Sequence, residues 1–385
     1  MSAPKLRFKE FDGDWSRYKI AEVTEYLVDG THFSPKTTEG EFKYITSKNI
    51  RNDGLDLTNI SYISKDEHEK IYKRCKVQLG DILLTKDGAN TGNCCLNTLD
   101  EEFSLLSSVA VLRGKKDSFN NNFILQILQS DLGQDTIISS MSGQAITRIT
   151  LAKLKDYSFF FPELTEQTQI TSFLSAVDEK ISQLTQKHEL LSQYKQGMMQ
   201  KLFSQQIRFK ADDGSEFGEW EENQLLDLST KKSSKVTAKD IEDNDGDYIV
   251  FGASGHFRNI NSYTESEPYI AIVKDGAGAG RLFLMPEKSS VLGTLEIVKP
   301  SLNIQLNFLF YRMQLIDFSS YIKGSTIPHV YFKDYSQEKI YLPCLEEQNK
   351  IANFLSAIDQ KIEVVAQQIE QAKQWKKGLL QQMFV

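Results

Sequence analysis

The sequence is poor in residues that staple a chain or carry it through a membrane. It has 4 cysteines, 8 prolines and 3 tryptophans in 385 residues. Cys75, Cys94, Cys95 and Cys344 form no Cys-x2-Cys pair, and the 5 histidines are scattered singly, so neither a zinc cluster nor a disulfide scaffold is indicated. Cys94 and Cys95 lie on a strand-like stretch and are expected to point to opposite faces, one buried and one not. No run approaches the roughly 18 consecutive apolar residues of a membrane span. The start, MSAPKLRFKEFDGDW, carries charge where a signal peptide has its apolar core, and the expectation is a cytoplasmic protein with no membrane partner. Positive charge is also in deficit: 45 Lys and Arg against 52 Asp and Glu give a net charge of -7, which counts against nucleic-acid binding by bulk attraction. There is no Walker phosphate loop, no His-Glu-x-x-His and no Asn-Pro-Pro-aromatic run, and no nucleophile, base and orienting group stand together.

What is there is a globular composition, 40% hydrophobic and 25% charged, on a length that suits two or three domains. It also repeats. PELTEQTQITSFLSAVDEKISQL from Pro162 aligns with PCLEEQNKIANFLSAIDQKIEVV from Pro343, an offset of 181 residues. The register continues through Lys195/Lys376, Gly197/Gly378 and Phe203/Phe384, and runs back to Gly143/Gly324 and Ile146/Ile327. LRFK at Leu6 is echoed by IRFK at Ile207, each followed by a Gly and then a tryptophan, Trp15 and Trp220. The chain is therefore a tandem duplication.

Each half ends in a helical pattern. Ile170, Leu174, Val177, Ile181, Leu184, His188 and Leu191 recur at alternating spacings of four and three, as do Ile351, Leu355, Ile358, Ile362, Val365 and Ile369, the spacing of a coiled-coil seam. Acidic residues after Pro162 and Pro343 suit a helix N-terminus. About 35 residues would make a rod of roughly 50 Å, or about fifteen base pairs of DNA, and such a rod cannot bury its stripe alone. The two copies are expected to pack on each other, antiparallel. His188 reads as a core or boundary histidine, and Gly197 and Gly378 as sites of close packing or of a bend.

Before each rod lies a mixed region of short strands and turns, with helices expected around Phe123 to Leu132 and Ile304 to Leu315. The phrase VKDGAGAG, with Gly276, Gly278 and Gly280, superficially suggests a cofactor loop. A strand, LFLM, follows Arg281 where such a loop would open a helix, so a hairpin turn is more natural. Half one keeps Lys86, Asp87, Gly88 and Gly92 but has Asn90 for the middle glycine. Small residues there would let a loop approach a polynucleotide, with Lys86, Lys274 and Arg281 reaching phosphates; a plain turn is the other reading. Basic strings rich in hydroxyls, KKSSK from Lys231 and Lys232 among them, read either as solvated surface or as groups for base edges and phosphates.

Taken together, the repeated Pro-x-Leu-x-Glu-Gln before paired rods, G-x-x-I-x-x-I/V ahead of them, THFSPK, LGDILLTKDGANTG and YIVFGASGHF resemble the DNA specificity subunit of type I restriction-modification systems over essentially the whole chain. The first copy departs slightly, with Thr165 where the second has Glu346. The resemblance implies an α+β fold: a target-recognition domain at 1–160, a spacer helix at 161–205, a second recognition domain at 206–342 and a second spacer helix at 343–385, with the helices an antiparallel coiled coil under a pseudo-two-fold. It implies a non-catalytic subunit that reads a bipartite site on double-stranded DNA and positions two methyltransferase subunits and, through them, restriction and motor subunits. S-adenosylmethionine, ATP and Mg would then belong to those partners and no cofactor to this chain. Candidate DNA contacts are Thr31, His32, Ser34, Lys36, Lys86 and Asn90 in half one, and Lys231, Lys232, Ser254, His256, Lys274 and Arg281 in half two. A scaffold built on paired coiled coils and a stand-alone DNA methyltransferase are the competing readings. The first leaves two large divergent domains unexplained; the second lacks its machinery.

Overall fold

The computed structural model describes residues 4–36, 39–141, 148–241 and 246–384. Gly143 and Ile146 of the repeat lie outside them. The chain forms two compact units, residues 1–184 with 368–385, and residues 185–367. Each takes one half of each long helix.

In unit 1 the near-continuous apolar stretches of the sequence become strands covered on both faces. β1 (Thr24–Asp29), β2 (Ile82–Thr85), β3 (Cys94–Leu96) and β4 (Val109–Gly114) form an antiparallel sheet in the order β1-β4-β2-β3. Ile82, Leu84, Cys94, Ala110 and Leu112 share one core with Phe123 and Ile127 of the helix Asn121–Gln129. Leu83, Cys95, Val109 and Val111 face a second core with Ile45, Ile50, Phe103 and Leu105. The adjacent cysteines do point to opposite faces, but both are buried, because this sheet has no solvent side. Burial pushes the Cys75 and Cys95 thiols up to about 12 and Cys94 higher still, which suits inert reduced thiols. The helix expected through Leu132 breaks at Ser130, whose hydroxyl caps a second helix, Asp131–Ser140.

A long helix, α1 (Leu164–Phe203), follows. Unit 2 then repeats the plan: β5 (Ser229–Ser233), β6 (Tyr269–Val273), β7 (Leu282–Met285) and β8 (Leu295–Pro300) pair antiparallel in the order β5-β8-β6-β7. That order is the order of the first sheet. Its core helix, Leu306–Met313, is shorter than the expected one. The chain ends in α2 (Leu345–Met383). At 40 and 39 residues the long helices correspond to about 60 Å each, longer than expected.

The two long helices pack antiparallel, and the seam positions make the contact. In unit 1, Ile170, Leu174 and Val177 share a core with Leu379 and Met383; in unit 2, Ile351, Leu355 and Ile358 share one with Met199 and Leu202. Leu174 and Leu355 are fully buried, each contributing about 1.5–3 kcal/mol. Leu184 and Val365 are buried too, while Ile181, Leu191, Ile362, Ile369 and the boundary residue His188 are half-buried. Asp178 pairs with Lys376 and Asp359 with Lys195, both at 2.6 Å, so repeat-equivalent acids meet repeat-equivalent lysines. Both helices run unbroken through Gly197 and Gly378, and nothing lies within 4 Å of where a Cβ would stand at either. The expectation of close packing or a bend there is corrected.

The repeated residues around each helix start meet in space. Glu166 and Glu347, in the first turns, are buried; Arg7 grips Glu166 with two hydrogen bonds of 2.7 Å, and Arg208 grips Glu347 at 3.1 and 2.7 Å. Trp15 and Trp220 donate their indole N–H to the same carboxylates, at 3.3 and 3.0 Å. The glutamates raise the pKa of both arginines through these bonds. Next to them Gln167 accepts from Asn120 N–H and donates to the carbonyls of Ser118 and Pro162; Gln348 accepts from Gln305 N–H and donates to Asn303 and Pro343. Removing one partner of a buried, hydrogen-bonded charge pair costs about 3–5 kcal/mol. Glu347→Ala is expected to lose that much in urea unfolding followed by tryptophan fluorescence, and the double variant with Arg208→Ala less than the sum of the singles. A loss below about 1 kcal/mol would contradict the structural role of this clasp.

Candidate nucleic-acid interface

The Lys-Asp-Gly phrases are hairpin turns between paired antiparallel strands, β2 to β3 and β6 to β7. Gly88 and Gly276 take positive φ, 100° and 98°, the geometry these turns need. No helix opens behind either turn, so a nucleotide-cradling loop is excluded on geometry. Each turn is locked by a backbone segment from the G-x-x-I-x-x-I/V phrase: Ile149 N–H donates to Lys86 O at 2.8 Å, and Val330 N–H to Lys274 O at 2.9 Å. Two phrases far apart in sequence thus form one structure in both units.

In unit 1 the lysine serves this structure and not a ligand. Lys86 is 2% exposed and its ammonium lies 3.4 Å from Asp29 and 3.3 Å from Asp87. The expectation that it reaches a phosphate is corrected, because a buried ammonium between two carboxylates is already neutralised. Thr31 is also buried, its N–H bonded to Leu105 O and its carbonyl to Ser107 N–H, so it anchors its loop. His32, Ser34 and Lys36 are exposed beyond it; His32 lies 3.5 Å from Asp29, and Lys36 N–H donates to Glu67. Asn90 is half-buried and donates to Ser47 O. Asp29 thus draws Thr31's neighbour His32, Arg74 and Lys86 together.

Unit 2 differs. Lys274 is partly exposed and pairs with Asp275 at 2.7 Å. Arg281 donates to Ala253 O at 3.2 Å, which sets the turn against the hairpin Tyr248–Gly252/Gly255–Ile260 and brings Ser254 and His256 beside it. His256 is exposed and bonded to Asn259. Lys231 and Lys232 stand elsewhere, on the edge strand β5, paired with the buried Glu296 and Glu265. Burial pushes the Glu265 carboxyl up, but Lys232 and Lys299 outweigh it, and its pKa lies below the ordinary value. Lys232 also lines a cleft of about 500 Å³ with Lys235, Ser262 and an apolar floor of Ile241 and Ile260.

Sequence reasoning missed two residues. Arg148 and His329 are repeat-equivalent, and each lies on the aspartate of a Lys-Asp-Gly turn: Arg148 Nε is 3.2 Å from Asp87 Oδ1 and His329 Nδ1 is 2.8 Å from Asp275 Oδ1. The first contact is an ion pair without hydrogen-bond alignment, since Asp87 Oδ1 is buried and finds no aligned donor. The signal available in sequence was the offset of 181, which maps one residue onto the other but does not show what either touches.

Among the described residues, no group of histidine, cysteine or acidic side chains could hold a metal ion, and no helix is long and apolar enough to cross a membrane. The type I restriction modification DNA specificity domain matches residues 12–193 and again 218–374. The chain belongs to that family. It is the DNA-sequence-recognition subunit of a type I restriction-modification complex, a non-catalytic role among DNA, methyltransferase and restriction partners. It is 25% identical to the MjaVIII specificity subunit of Methanocaldococcus jannaschii, over 97% of this chain and 94% of that one. It is 26% identical to a protein of the same organism assigned provisionally as its MjaX specificity subunit, over 98% and 94%. In fold it is similar to the crystal structure of a type I restriction-modification S subunit from M. genitalium, with a TM-score of 0.67 at 18% identity, over 100% and 99% of the two chains.

Burial also pushes the Asp275 carboxyl up, but the hydrogen bonds from Lys274 and His329 prevail and hold it below the ordinary aspartate value. Its contribution to stability is therefore fully present above about pH 3.9, the unfolded value, and is lost as pH falls through the depressed folded value. The stability gap between wild type and Asp275→Asn, measured by denaturant unfolding from pH 6 downward, is expected to close in that acid range. A gap that stayed constant to pH 2.5 would contradict it.

Proposed function

We propose that the chain reads an asymmetric bipartite DNA site, one half per unit, across a spacer it does not read. The observation that carries this is the duplication itself: two sheets of identical strand order, each locked to its turn by the same backbone bond, carry different exposed side chains. Equal frameworks with unequal surfaces suit two different half-sites. Among the candidates, the exposure of His32, Ser34 and Lys36 in unit 1, and of Ser254, His256 and Arg281 with the partly exposed Lys274 in unit 2, supports DNA contact; Lys231 and Lys232 are each already paired with a buried glutamate, which counts against a phosphate role. The chain would work in the cytoplasm, with S-adenosylmethionine, ATP and Mg held by its partners.

The competing scaffold reading offers no reason for two framework-matched domains with different turn surfaces. A stand-alone methyltransferase is disfavoured by the strand that follows Arg281.

Selection from randomised duplex by this chain with its methyltransferase partner is expected to return two short motifs separated by several unread base pairs. One continuous motif would overturn the reading. Because the halves are quasi-repeats, two methyltransferase subunits should bind per chain. Native mass spectrometry of the reconstituted complex showing one would contradict that stoichiometry.

A further inference from the structure

We propose that Arg148 and His329 are matched base-reading side chains, each aimed by the aspartate of its Lys-Asp-Gly turn. The inference rests on the DNA reading above and names the residues at which the two units differ in what they read.

The argument begins with shared backbone. Residues 148–149 and 329–330 make the same β-bridge and the same hydrogen bond to the turn, Asp87 with Arg148 and Asp275 with His329. A side chain that starts from the same place and rests on the same carboxylate has the same direction in both units. Its chemistry alone differs.

That difference is a difference in what can be read. Asp275 accepts from His329 Nδ1, so Nδ1 carries a proton, and the neutral tautomer compatible with this contact has its lone pair on Nε2. Among the described residues Nε2 has no partner, and the ring is one-third exposed. A neutral imidazole held this way accepts a hydrogen bond, as from adenine N6 or cytosine N4 in the major groove. Arg148, with Nε toward Asp87 and its side chain 56% exposed, presents a guanidinium fork that only donates. Such a fork matches guanine O6 and N7.

The surroundings of His329 suit a polynucleotide. Tyr331, 45% exposed, stacks near the imidazole with ring centres 6.1 Å apart, and the Lys333 ammonium lies 5.8 Å from the Tyr331 ring. Lys323, whose backbone bridges to that of His329, has its ammonium held by Asp334 at 2.7 Å. The aromatic face beside the exposed Lys333 ammonium offers both stacking and phosphate attraction. Asp87 and Asp275 are positioning residues here, because they act through the side chains they hold.

The test is selection from randomised duplex by the complex of this chain with its methyltransferase subunit. His329→Ala should relax one base pair in one half-site, losing about tenfold to a hundredfold in preference, and Arg148→Ala one base pair in the other. Asp275→Asn should relax the same pair as His329→Ala. His329→Arg should shift that pair toward guanine and leave the other half-site untouched. If His329→Ala does not fold, His329→Leu, which fills similar space and can neither donate nor accept a hydrogen bond, carries the same comparison. Folded variants with unchanged motifs, or with all sequences weakened alike, would overturn base reading at these positions while leaving the bipartite reading intact. A wild-type complex that selects no sequence would overturn the DNA reading and this inference together.

Discussion

A buried glutamate at the start of each long helix is the constraint on which the rest of the structure depends. Burying a carboxylate is costly unless it is paired and hydrogen-bonded, and here a forked arginine and an indole N–H satisfy it. The arginine and tryptophan come from the segment that opens each half, so the helix cannot start correctly unless that segment is in place. The neighbouring glutamine extends the grip to backbone groups around Ser118 and Asn303, ahead of each core helix. One short phrase therefore fixes three pieces of chain at each corner. The seam and the sheets build out from these corners, with Ile170 and Ile351 as the first buried residues beyond them.

Much of this was legible in the sequence, and the reason is periodicity. The rods show a four-three spacing that hardly any other structure explains, and the offset of 181 residues exposes the duplication without any knowledge of contacts. LRFK with its tryptophan was visible as a repeat but not as a clasp, because nothing local says that Arg7 reaches a residue as distant as Glu166. Glu166 and Glu347 do stand in the first helical turns, as acidic residues at a helix N-terminus should, but nothing in their spacing shows that they are also buried partners of arginine. Cys95 shows the same limit. Alternation gives its direction, but whether a second layer covers that face depends on segments such as Phe103 to Leu105, elsewhere in the chain.

The candidate interface was less legible, and charge explains why. A lysine in sequence carries no sign of whether an acid waits beside it. Lys86 is consumed by Asp29 and Asp87, Lys231 by Glu296 and Lys232 by Glu265. The net charge of -7 is thus a poor guide in both directions: several basic strings are internally neutralised, and the acids that lower the total are partly the ones that do it. What matters to a polynucleotide is the charge left after these pairings. Exposure decides between two cations that share Asp87: Arg148, more than half exposed, is a better candidate than the buried Lys86.

The two halves could diverge in what they present because the contact that locks each turn uses no side chain. Ile149 and Val330 donate their backbone N–H groups to Lys86 and Lys274 carbonyls, and these bonds survive any substitution at the residue before. The aspartate adds only a demand for a partner near its carboxylate, which Arg148 meets as an ion pair and His329 as a hydrogen bond. Such a site tolerates exchange between chemically different readers without disturbing the sheet beneath, whereas the Glu–Arg–Trp corners tolerate almost none. A duplicated chain under these constraints keeps its corners identical and lets the turn partners drift. That is the pattern found at Glu166 and Glu347 on one side and at Arg148 and His329 on the other.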